Sequence, residues 1–190
     1  MKGRIDMSKN ILVMTGSPRK LGNSDMLADA FIDGAREAGH TVNKYEAAFS
    51  KISGCRACDT CWSKGVPCSF DDDFNNKFVP LFEQADMLVL CTPLYFYGFP
   101  SGVQATLEKL YSLLMPQSKI RIKVSETILL MCGGEKDHSI FTGAVGVYKQ
   151  ICKGMKWSEQ EMLLVPGVLS KGEIVKTDYL KQAEELGRSI

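Results

Sequence analysis

Four cysteines lie close together in the first half of the chain, at Cys55, Cys58, Cys61 and Cys68. Their spacing is C-x2-C-x2-C-x6-C, so three thiolates can converge from one compact turn and a fourth can complete four-sulfur coordination. Such a set suits a cubane iron–sulfur cluster. It suits structural zinc less well, because zinc sites usually arrange their cysteines as two separated pairs. Free thiols or a disulfide within a Cys-x-x-Cys pair are the remaining interpretations.

A second candidate site is the segment TGSPRKLGNS, residues 15–24, which follows an apolar strand and opens a helix. Gly16 and Gly22 permit close approach of a ligand to the backbone. Hydrogen-bond donors are supplied by the side chains of Ser17, Arg19, Asn23 and Ser24. The helix N-terminus adds free N–H groups and partial positive charge, so the segment suits a terminal phosphate. Its spacing matches neither the dinucleotide-binding pattern GxGxxG nor the Walker-type pattern GxxxxGK(S/T). The alternative interpretation is a capped loop that binds no ligand.

Aromatic side chains crowd the segment TPLYFYGFP, residues 92–100, directly after another apolar strand. Four of them fall within five positions, namely Tyr95, Phe96, Tyr97 and Phe99. An aromatic wall with exposed backbone amides suits a flat ring system. Packing of these rings on neighbouring helices or on a partner subunit is the alternative.

A third loop, CGGEKDHS at residues 132–139, also follows an apolar strand. Its paired glycines, Gly133 and Gly134, let backbone N–H groups approach a ligand. His138 is a candidate for proton transfer or hydrogen bonding, although a single loop histidine is more often an ordinary surface residue.

The elements that must position these loops alternate along the chain. Apolar or alternating runs predict strands over residues 11–15, 41–47, 86–93, 126–132 and 158–168. Helical spacing of apolar residues predicts helices over residues 24–38, 74–85, 103–114, 140–153 and 176–190, with Ser24 as the first N-cap. Three strands are apolar on both faces, which predicts an α/β fold with a parallel sheet covered by helices on both sides. All three loops then follow carboxyl ends of strands, where ligands bind in such sheets.

Composition excludes several classes of protein. The chain has 190 residues, a formal charge of +1 and 45% hydrophobic residues, as expected for one globular domain, residues 1–190, with a cysteine-rich insertion at residues 54–73. The near-neutral charge argues against binding nucleic acid or anionic membranes. No apolar run is long enough to span a bilayer, and the first ten residues lack the apolar core of a signal peptide. The cysteines are odd in number, and together with the lack of a signal peptide this predicts a reducing, cytoplasmic location.

The three loops resemble those of the flavodoxin-like NAD(P)H-dependent FMN reductases. GSPRKLGNS resembles their phosphate loop, TPLYFYGFPSG their second flavin loop, and CGGE falls where their third loop belongs. The resemblance implies a doubly wound, five-stranded parallel sheet of order 2-1-3-4-5 and an FMN cofactor. It implies phosphate binding by Ser17, Arg19, Asn23 and Ser24, and an isoalloxazine site lined by Pro93, Leu94, Tyr95, Phe96, Tyr97 and Gly98, closed at its other edge by Gly133, Gly134 and Glu135. It also implies a homodimer or tetramer, with the flavin near the subunit boundary.

The cysteine spacing resembles the cluster motif of the iron–sulfur flavoproteins, which implies a 4Fe-4S cluster on Cys55, Cys58, Cys61 and Cys68. Many cluster-free reductases of the same broad family keep a similar loop, whose thiols shape the dimer interface, so both interpretations stay open. The chain also departs from many relatives, which carry a lysine and then an aspartate–arginine pair after the second loop. Here those positions are occupied by Gln104, Glu108 and Lys109. This departure affects the expected dimer contact and substrate preference.

The expected function is that of an FMN-dependent oxidoreductase. NAD(P)H would bind transiently as the hydride donor, and the electrons would pass to a quinone, a nitro compound, free flavin or the cluster. Because the flavin carries the chemistry, no catalytic side chain is expected. One alternative is an iron–sulfur flavoprotein that carries electrons between redox proteins without using NAD(P)H, and another is a flavin-free scaffold.

Overall fold

Five parallel strands form the central sheet of the protein, which the computed structural model describes from residue 8 to residue 190. The expectation for the first ten residues therefore lies largely outside the described part of the chain. The strands are β1 (Asn10–Thr15), β2 (Thr41–Glu46), β3 (Met87–Pro93), β4 (Glu126–Cys132) and β5 (Ser158–Val165). Their order is β2-β1-β3-β4-β5, with every neighbouring pair parallel. This confirms the predicted flavodoxin-like order.

The three apolar strands are buried on both faces, as their composition predicts. Alternate residues of a strand point to opposite sides of the sheet, and the core is accordingly divided into two layers. In β1, Leu12 and Met14 belong to one layer, and Ile11 and Val13 belong to the other. The sheet thus requires helices on both faces.

The helices meet this requirement. They are α1 (Asn23–Glu37), α2 (Thr60–Lys64), α3 (Val79–Phe82), α4 (Ser101–Lys109), α5 (Thr142–Met155) and α6 (Tyr179–Ser189). Helices α1 and α6 cover one face, and α3, α4 and α5 contribute to the core layer on the other. Within residues 8–190, none of the helices has both the length and the apolar character needed to cross a bilayer.

Two glycines explain how closely α1 and α6 pack. A Cβ atom on Gly34 would lie 1.9 Å from the carbonyl oxygen of Glu184, and one on Gly187 would lie 2.1 Å from that of Phe31. Only glycine permits the two backbones to approach this closely. This contact fixes α1, and with it the loop that precedes α1.

Several predicted boundaries were wrong by a few residues. Helix α1 begins at Asn23, its N-cap is Gly22, and Ser24 lies inside the helix, so Ser24 is not the cap. The predicted helix over residues 74–85 begins as a π-helical turn at Phe74–Phe78. The predicted helix over 103–114 changes to 3-10 geometry at Leu110–Leu114, where the α-helix has ended.

Candidate functional site

The first and second loops and part of the third meet at one cleft beyond the carboxyl ends of β1, β3 and β4. Its inner part is a cavity of about 290 Å3. The lining residues are Ser17, Arg19, Gly22, Asn23, Ser24, Pro93, Leu94, Tyr95, Phe96, Cys132, Gly134, Val168, Leu169 and Lys171. An adjoining outer part of the cleft is lined by four of these residues together with Tyr97, Glu135 and Ile140. Eleven of the thirteen residues expected around a flavin therefore line this cleft, and Gly98 and Gly133 do not.

The loop after β1 forms a tight turn that holds its own atoms in place. The backbone N–H of Arg19 donates to Ser17 Oγ over 3.1 Å, and the N–H of Gly22 donates to the carbonyl of Arg19 over 3.0 Å. Leu21 adopts a left-handed conformation, with φ of 56°. Its N–H donates to Asp25 Oδ2 over 2.8 Å, which secures the turn to the first turn of α1.

Positive charge is available at this turn. The side chain of Arg19 is exposed and, among the described residues, forms no salt bridge. Lys171, which the sequence analysis did not single out, lies on the same cavity wall. The charge of Asp25 is balanced by Lys44, whose ammonium lies 2.8 Å from its carboxylate. Burial raises the pKa of Asp25, but hydrogen bonds from Lys44 and Leu21 outweigh this effect and the pKa is lowered. The donor set fits a phosphate.

Asn23 has a different role from the one that the resemblance implied. Its side-chain nitrogen donates to the carbonyls of Val168 and Ser170, over 3.1 and 2.9 Å, and its side-chain oxygen accepts from the N–H of Ile174 over 3.2 Å. The amide is therefore occupied by backbone groups, and it holds the segment after β5 against the N-terminus of α1. That segment carries Lys171, so Asn23 affects the cleft indirectly, by holding Lys171 in position.

The second loop is a two-residue hairpin with an unusual turn. Tyr95 and Gly98 exchange two backbone hydrogen bonds of 3.0 Å. The residues between them, Phe96 and Tyr97, have φ of 45° and 65°. Such turns favour asparagine and glycine, because a left-handed conformation costs other residues about 1–2 kcal/mol each. Phe96 is 97% exposed and recovers none of this cost by burial. Backbone strain of this kind clusters at ligand sites, which makes the turn a candidate ligand position.

Replacing Phe96 with Asn and Tyr97 with Gly should raise the free energy of unfolding by about 1–2 kcal/mol, because Asn relieves part of the strain and Gly relieves it fully, while the greater freedom of Gly in the unfolded chain offsets some of the gain. Urea denaturation of the apoprotein measures this as a higher midpoint with an unchanged slope. The single change Phe49→Asn, at another half-exposed aromatic with no left-handed backbone, is the control and should not stabilise the protein. An unchanged or lower midpoint in the double variant would show that the turn is not strained.

Of the three residues of the third loop that were expected at the cleft, Gly134 and Glu135 line it and Gly133 does not. The N–H of Gly133 donates to the carbonyl of Val165 over 2.8 Å, and a Cβ at Gly133 would lie 2.6 Å from Ile140. Gly133 therefore allows close packing against Ile140 at the end of β4. Glu135 lies in the cleft, with its carboxylate 3.5 Å from the hydroxyl of Tyr97, and joins the second and third loops. His138 is exposed and is not among the residues that line the cleft.

The four clustered cysteines line a cavity of their own, of about 200 Å3. Trp62, Phe70 and Tyr111 also line it. All seven cysteines are free thiols. In this conformation no three His, Cys, Asp or Glu side chains within residues 8–190 surround a common metal position. All four cysteines nevertheless border one cavity, which is the observation that favours a four-sulfur site.

Within the cysteine loop the pKa of Cys58 is lowered, whereas burial raises the pKa of Cys61. Hydrogen bonding to Ser69, over 3.4 Å, is the main reason that the pKa of Cys58 falls to about 7. Burial raises the pKa of Cys132 to about 12 and that of Cys152 to about 11, and it raises that of Cys91 as well. The three buried cysteines therefore stay protonated at neutral pH.

Helix α4 holds both ends of the cysteine loop. Glu108 accepts a hydrogen bond from the N–H of Cys55 over 3.1 Å, at the start of the loop. The next residue, Lys109, is buried and pairs with Asp72 at the end of the loop. Gln104 lies 3.4 Å from Glu108. The three positions that depart from relatives thus contact or support the cysteine loop, a role that the sequence analysis missed.

Replacing Glu108 with Ala should loosen the start of this loop. Loss of one charge-assisted hydrogen bond at an exposed site is worth about 1 kcal/mol, so we expect the Cys55 amide to exchange its hydrogen about fivefold faster. Hydrogen–deuterium exchange of the apoprotein measures this directly. Glu185→Ala, which removes an exposed glutamate of α6, is the control and should leave the Cys55 amide unaffected. Unchanged exchange in Glu108→Ala would mean that Glu108 does not anchor the loop.

A third cavity, of about 480 Å3, lies between the cleft and the cysteine cavity. It shares Tyr95 with the cleft, and it shares Gly54 and Glu108 with the cysteine cavity. Gly16 and Pro18 of the first loop also line it. The two candidate sites are therefore neighbours, separated by a space that each of them borders.

Comparison with known proteins identifies the family of the chain. Residues 9–140 match the family described as NADPH-dependent FMN reductase. The chain is 28% identical over 178 residues to an iron-sulfur flavoprotein of Archaeoglobus fulgidus, covering 92% of this chain and 76% of that protein.

Solved structures show the same fold at low sequence identity. An NAD(P)H:quinone oxidoreductase from Methanothermobacter marburgensis superimposes with a TM-score of 0.74 at 16% identity, covering 96% of each chain. An azoreductase from Bacillus anthracis str. Sterne gives 0.71 at 18% identity, covering 96% of this chain and 100% of the other. With the family match extending over most of the sheet, the chain belongs to the NADPH-dependent FMN reductase family and is an NAD(P)H-dependent flavin oxidoreductase.

Proposed function

We propose that the cleft holds FMN, with the phosphate at residues 17–24 and the ring system between the second and third loops. When bound there, FMN would supply hydride transfer from a reduced nicotinamide and onward electron transfer to an acceptor. The observation that carries this proposal is the meeting of Arg19 and the aromatic hairpin in one cleft. The polar turn and the aromatic wall match the two ends of such a ligand.

Each part of the cleft has a task in this proposal. Arg19 and Lys171 balance the charge of the phosphate, and the free N–H groups at the N-terminus of α1 present hydrogen-bond donors to it. Asn23 keeps Lys171 in position through its bonds to residues 168–174. The hairpin and Glu135 hold the edges of the ring site, while nicotinamide approaches from solvent.

We further propose that Cys55, Cys58, Cys61 and Cys68 hold a 4Fe-4S cluster that receives electrons from the flavin. The shared cavity of the four thiols supports this, as does the similarity to an iron-sulfur flavoprotein over 92% of the chain. The space between the two sites, bordered by Tyr95 and Glu108, makes them neighbours. The acceptor is then a small molecule, such as a quinone or nitro compound, or a redox protein that takes single electrons from the cluster.

Two further properties are proposed on the same basis. Phe96, Tyr97 and Leu169 leave a large apolar area exposed at the rim of the cleft, which supports a homodimer or tetramer that covers it. The exposed thiols Cys55 and Cys58 support a reducing location, namely the cytoplasm.

The test is a visible spectrum of anaerobically purified protein before and after addition of NADPH, with iron and acid-labile sulfide assayed on the same sample. We expect flavin bands that bleach rapidly with NADPH, together with broad cluster absorption and stoichiometric iron. A colourless protein that does not bind added FMN would refute the flavin proposal. Flavin without iron, after reconstitution with iron and sulfide, would refute the cluster alone.

The similarity to an iron-sulfur flavoprotein favours one alternative function, that of an electron carrier between proteins. In that case the flavin is reduced by ferredoxin or dithionite, and NADPH leaves the spectrum unchanged. Rapid bleaching by NADPH excludes this alternative.

A further inference from the structure

A buried carboxylate lies at the same helix end as the proposed phosphate position. Asp25 belongs to the first turn of α1 and is buried. Three residues just before it, Gly22, Asn23 and Ser24, line the cleft. The first hydrogen bond of the helix runs from the N–H of Met26 to the carbonyl of Gly22, so the N–H groups just before Met26 are those that a helix leaves for an anion. A phosphate bound there is close to the charge of Asp25.

The carboxylate belongs to a small network of charges between α1 and β2. Its Oδ2 accepts from the N–H of Leu21, and its Oδ1 lies 2.8 Å from the ammonium of Lys44. The same ammonium lies 2.7 Å from the carboxylate of Asp29. Burial lowers the pKa of Lys44, but its hydrogen bonds to the two carboxylates outweigh this effect and the pKa is raised. At neutral pH Lys44 is therefore charged and serves both carboxylates.

An uncompensated carboxylate at this position would oppose phosphate binding. A phosphate monoester carries between one and two negative charges at neutral pH, and like charges in partly buried surroundings repel each other. Lys20 is the other cation that acts on Asp25, but it is paired with Glu46. The cation in contact with Asp25 is Lys44, which is not among the residues that line the cleft.

We propose that Lys44 sets the preference of the cleft for a phosphorylated flavin over riboflavin. This inference rests on the flavin proposed above. The turn uses the carboxylate of Asp25 to hold Leu21 in its left-handed conformation, and Lys44 cancels the charge that this carboxylate brings to the phosphate position. Lys44 acts through Asp25, so it is a positioning residue and not a ligand of the phosphate.

A purely structural role for Lys44 is the competing explanation. Its two ion pairs connect β2 to α1, so their loss alone could loosen the turn and weaken FMN binding. The two explanations differ in what happens when the charge of Asp25 is also removed. Asparagine at position 25 keeps a side-chain oxygen that can accept from Leu21, but it carries no charge. The electrostatic role then predicts recovery of FMN binding, and the structural role predicts none, because the contact with Lys44 is still missing.

The test titrates the apoprotein with FMN and with riboflavin, followed by quenching of flavin fluorescence. We expect Lys44→Met to raise the dissociation constant for FMN about tenfold, and that for riboflavin by less than about twofold. The double variant Asp25→Asn/Lys44→Met should return the FMN value to within about threefold of wild type.

Lys9→Met is the matched control. The side chain of Lys9 is as exposed as that of Lys44, 24% against 23%, and it pairs with Glu126 at the opposite edge of the sheet. This variant loses an ion pair of similar burial far from the cleft, so binding of both flavins should stay within about twofold of wild type.

Unchanged FMN affinity in Lys44→Met, or no recovery in the double variant, would overturn the inference and leave the flavin proposal intact. Wild-type protein that does not bind FMN would overturn the flavin proposal and this inference with it. If Lys44→Met does not fold, Asp25→Asn alone decides. Removing the charge of the carboxylate while Lys44 remains must then tighten FMN binding and leave riboflavin binding unchanged, and weaker or equal FMN binding would overturn the inference.

Discussion

Replacing Ser17 and Arg19 together with alanine should raise the dissociation constant for FMN by two to three orders of magnitude, about 3–4 kcal/mol. In the proposed site Arg19 would give the phosphate a charge-assisted contact worth about 2–3 kcal/mol, and the Ser17 hydroxyl would add about 1 kcal/mol. Ser17 also accepts the hydrogen bond that closes the turn. Titration of the apoprotein with FMN, followed by quenching of flavin fluorescence, measures the loss.

Lys20→Ala is the matched control for this experiment. Lys20 belongs to the same loop and carries the same charge, but its ammonium pairs with Glu46 and lies 4.9 Å from the centre of the Phe49 ring. It is not among the residues that line the cleft. We therefore expect its removal to change FMN affinity by less than about twofold, as for a surface charge. If the control and the double variant weaken binding equally, general attraction explains the affinity, and the turn is not a specific phosphate site.

The sheet order agrees with what the sequence resemblance implied, and the parallel architecture follows from features that the sequence displays locally. Runs such as Ile11–Met14 are apolar at every position, which favours strands buried on both faces, and their alternation with helices indicates parallel pairing. The loops that follow such strands then meet at one edge of the sheet. Local pattern and topology together were enough to bring residues 15–24 and 92–97 into one cleft.

The roles of single residues were harder to predict, because they depend on contacts between distant parts of the chain. Asn23 was expected at the phosphate, yet its amide binds backbone groups about 150 positions away. No local pattern indicates such a contact. Likewise, Gly133 was expected to leave its backbone N–H free for a ligand. Instead, this N–H donates to the carbonyl of Val165 in the neighbouring strand β5.

The cysteine loop shows the same limit more clearly. Its spacing indicates which residues can bind a cluster, but not what holds them. The anchors are Glu108 and Lys109, which follow the loop by some forty residues and lie on α4. In the sequence, these positions stand out only because they differ from the residues that many relatives carry there. Their physical role is to connect the cysteine loop to the helix that begins directly after the aromatic hairpin, so the two candidate sites share one rigid support.

Replacing Cys61 and Cys68 together with alanine should abolish iron binding and leave FMN binding unchanged. Alanine cannot ligate iron, and removing two of four thiolates leaves too few donors for a cubane cluster. The cleft contains neither residue, so FMN affinity and bleaching by NADPH should stay within about twofold of wild type. Transfer of single electrons to a redox partner should be lost, since the flavin then lacks its one-electron outlet.

The control is Cys152→Ala, which removes a buried thiol of α5 outside the loop. This variant should lose some stability, because a buried side chain becomes smaller, but it should keep full iron content. Iron and sulfide assays on reconstituted samples of all three proteins make the comparison. Equal iron in the loop variant and the wild type would show that the metal lies elsewhere. If the loop variant lost both iron and NADPH-dependent bleaching, the two sites would depend on each other, because independent sites would not lose function together.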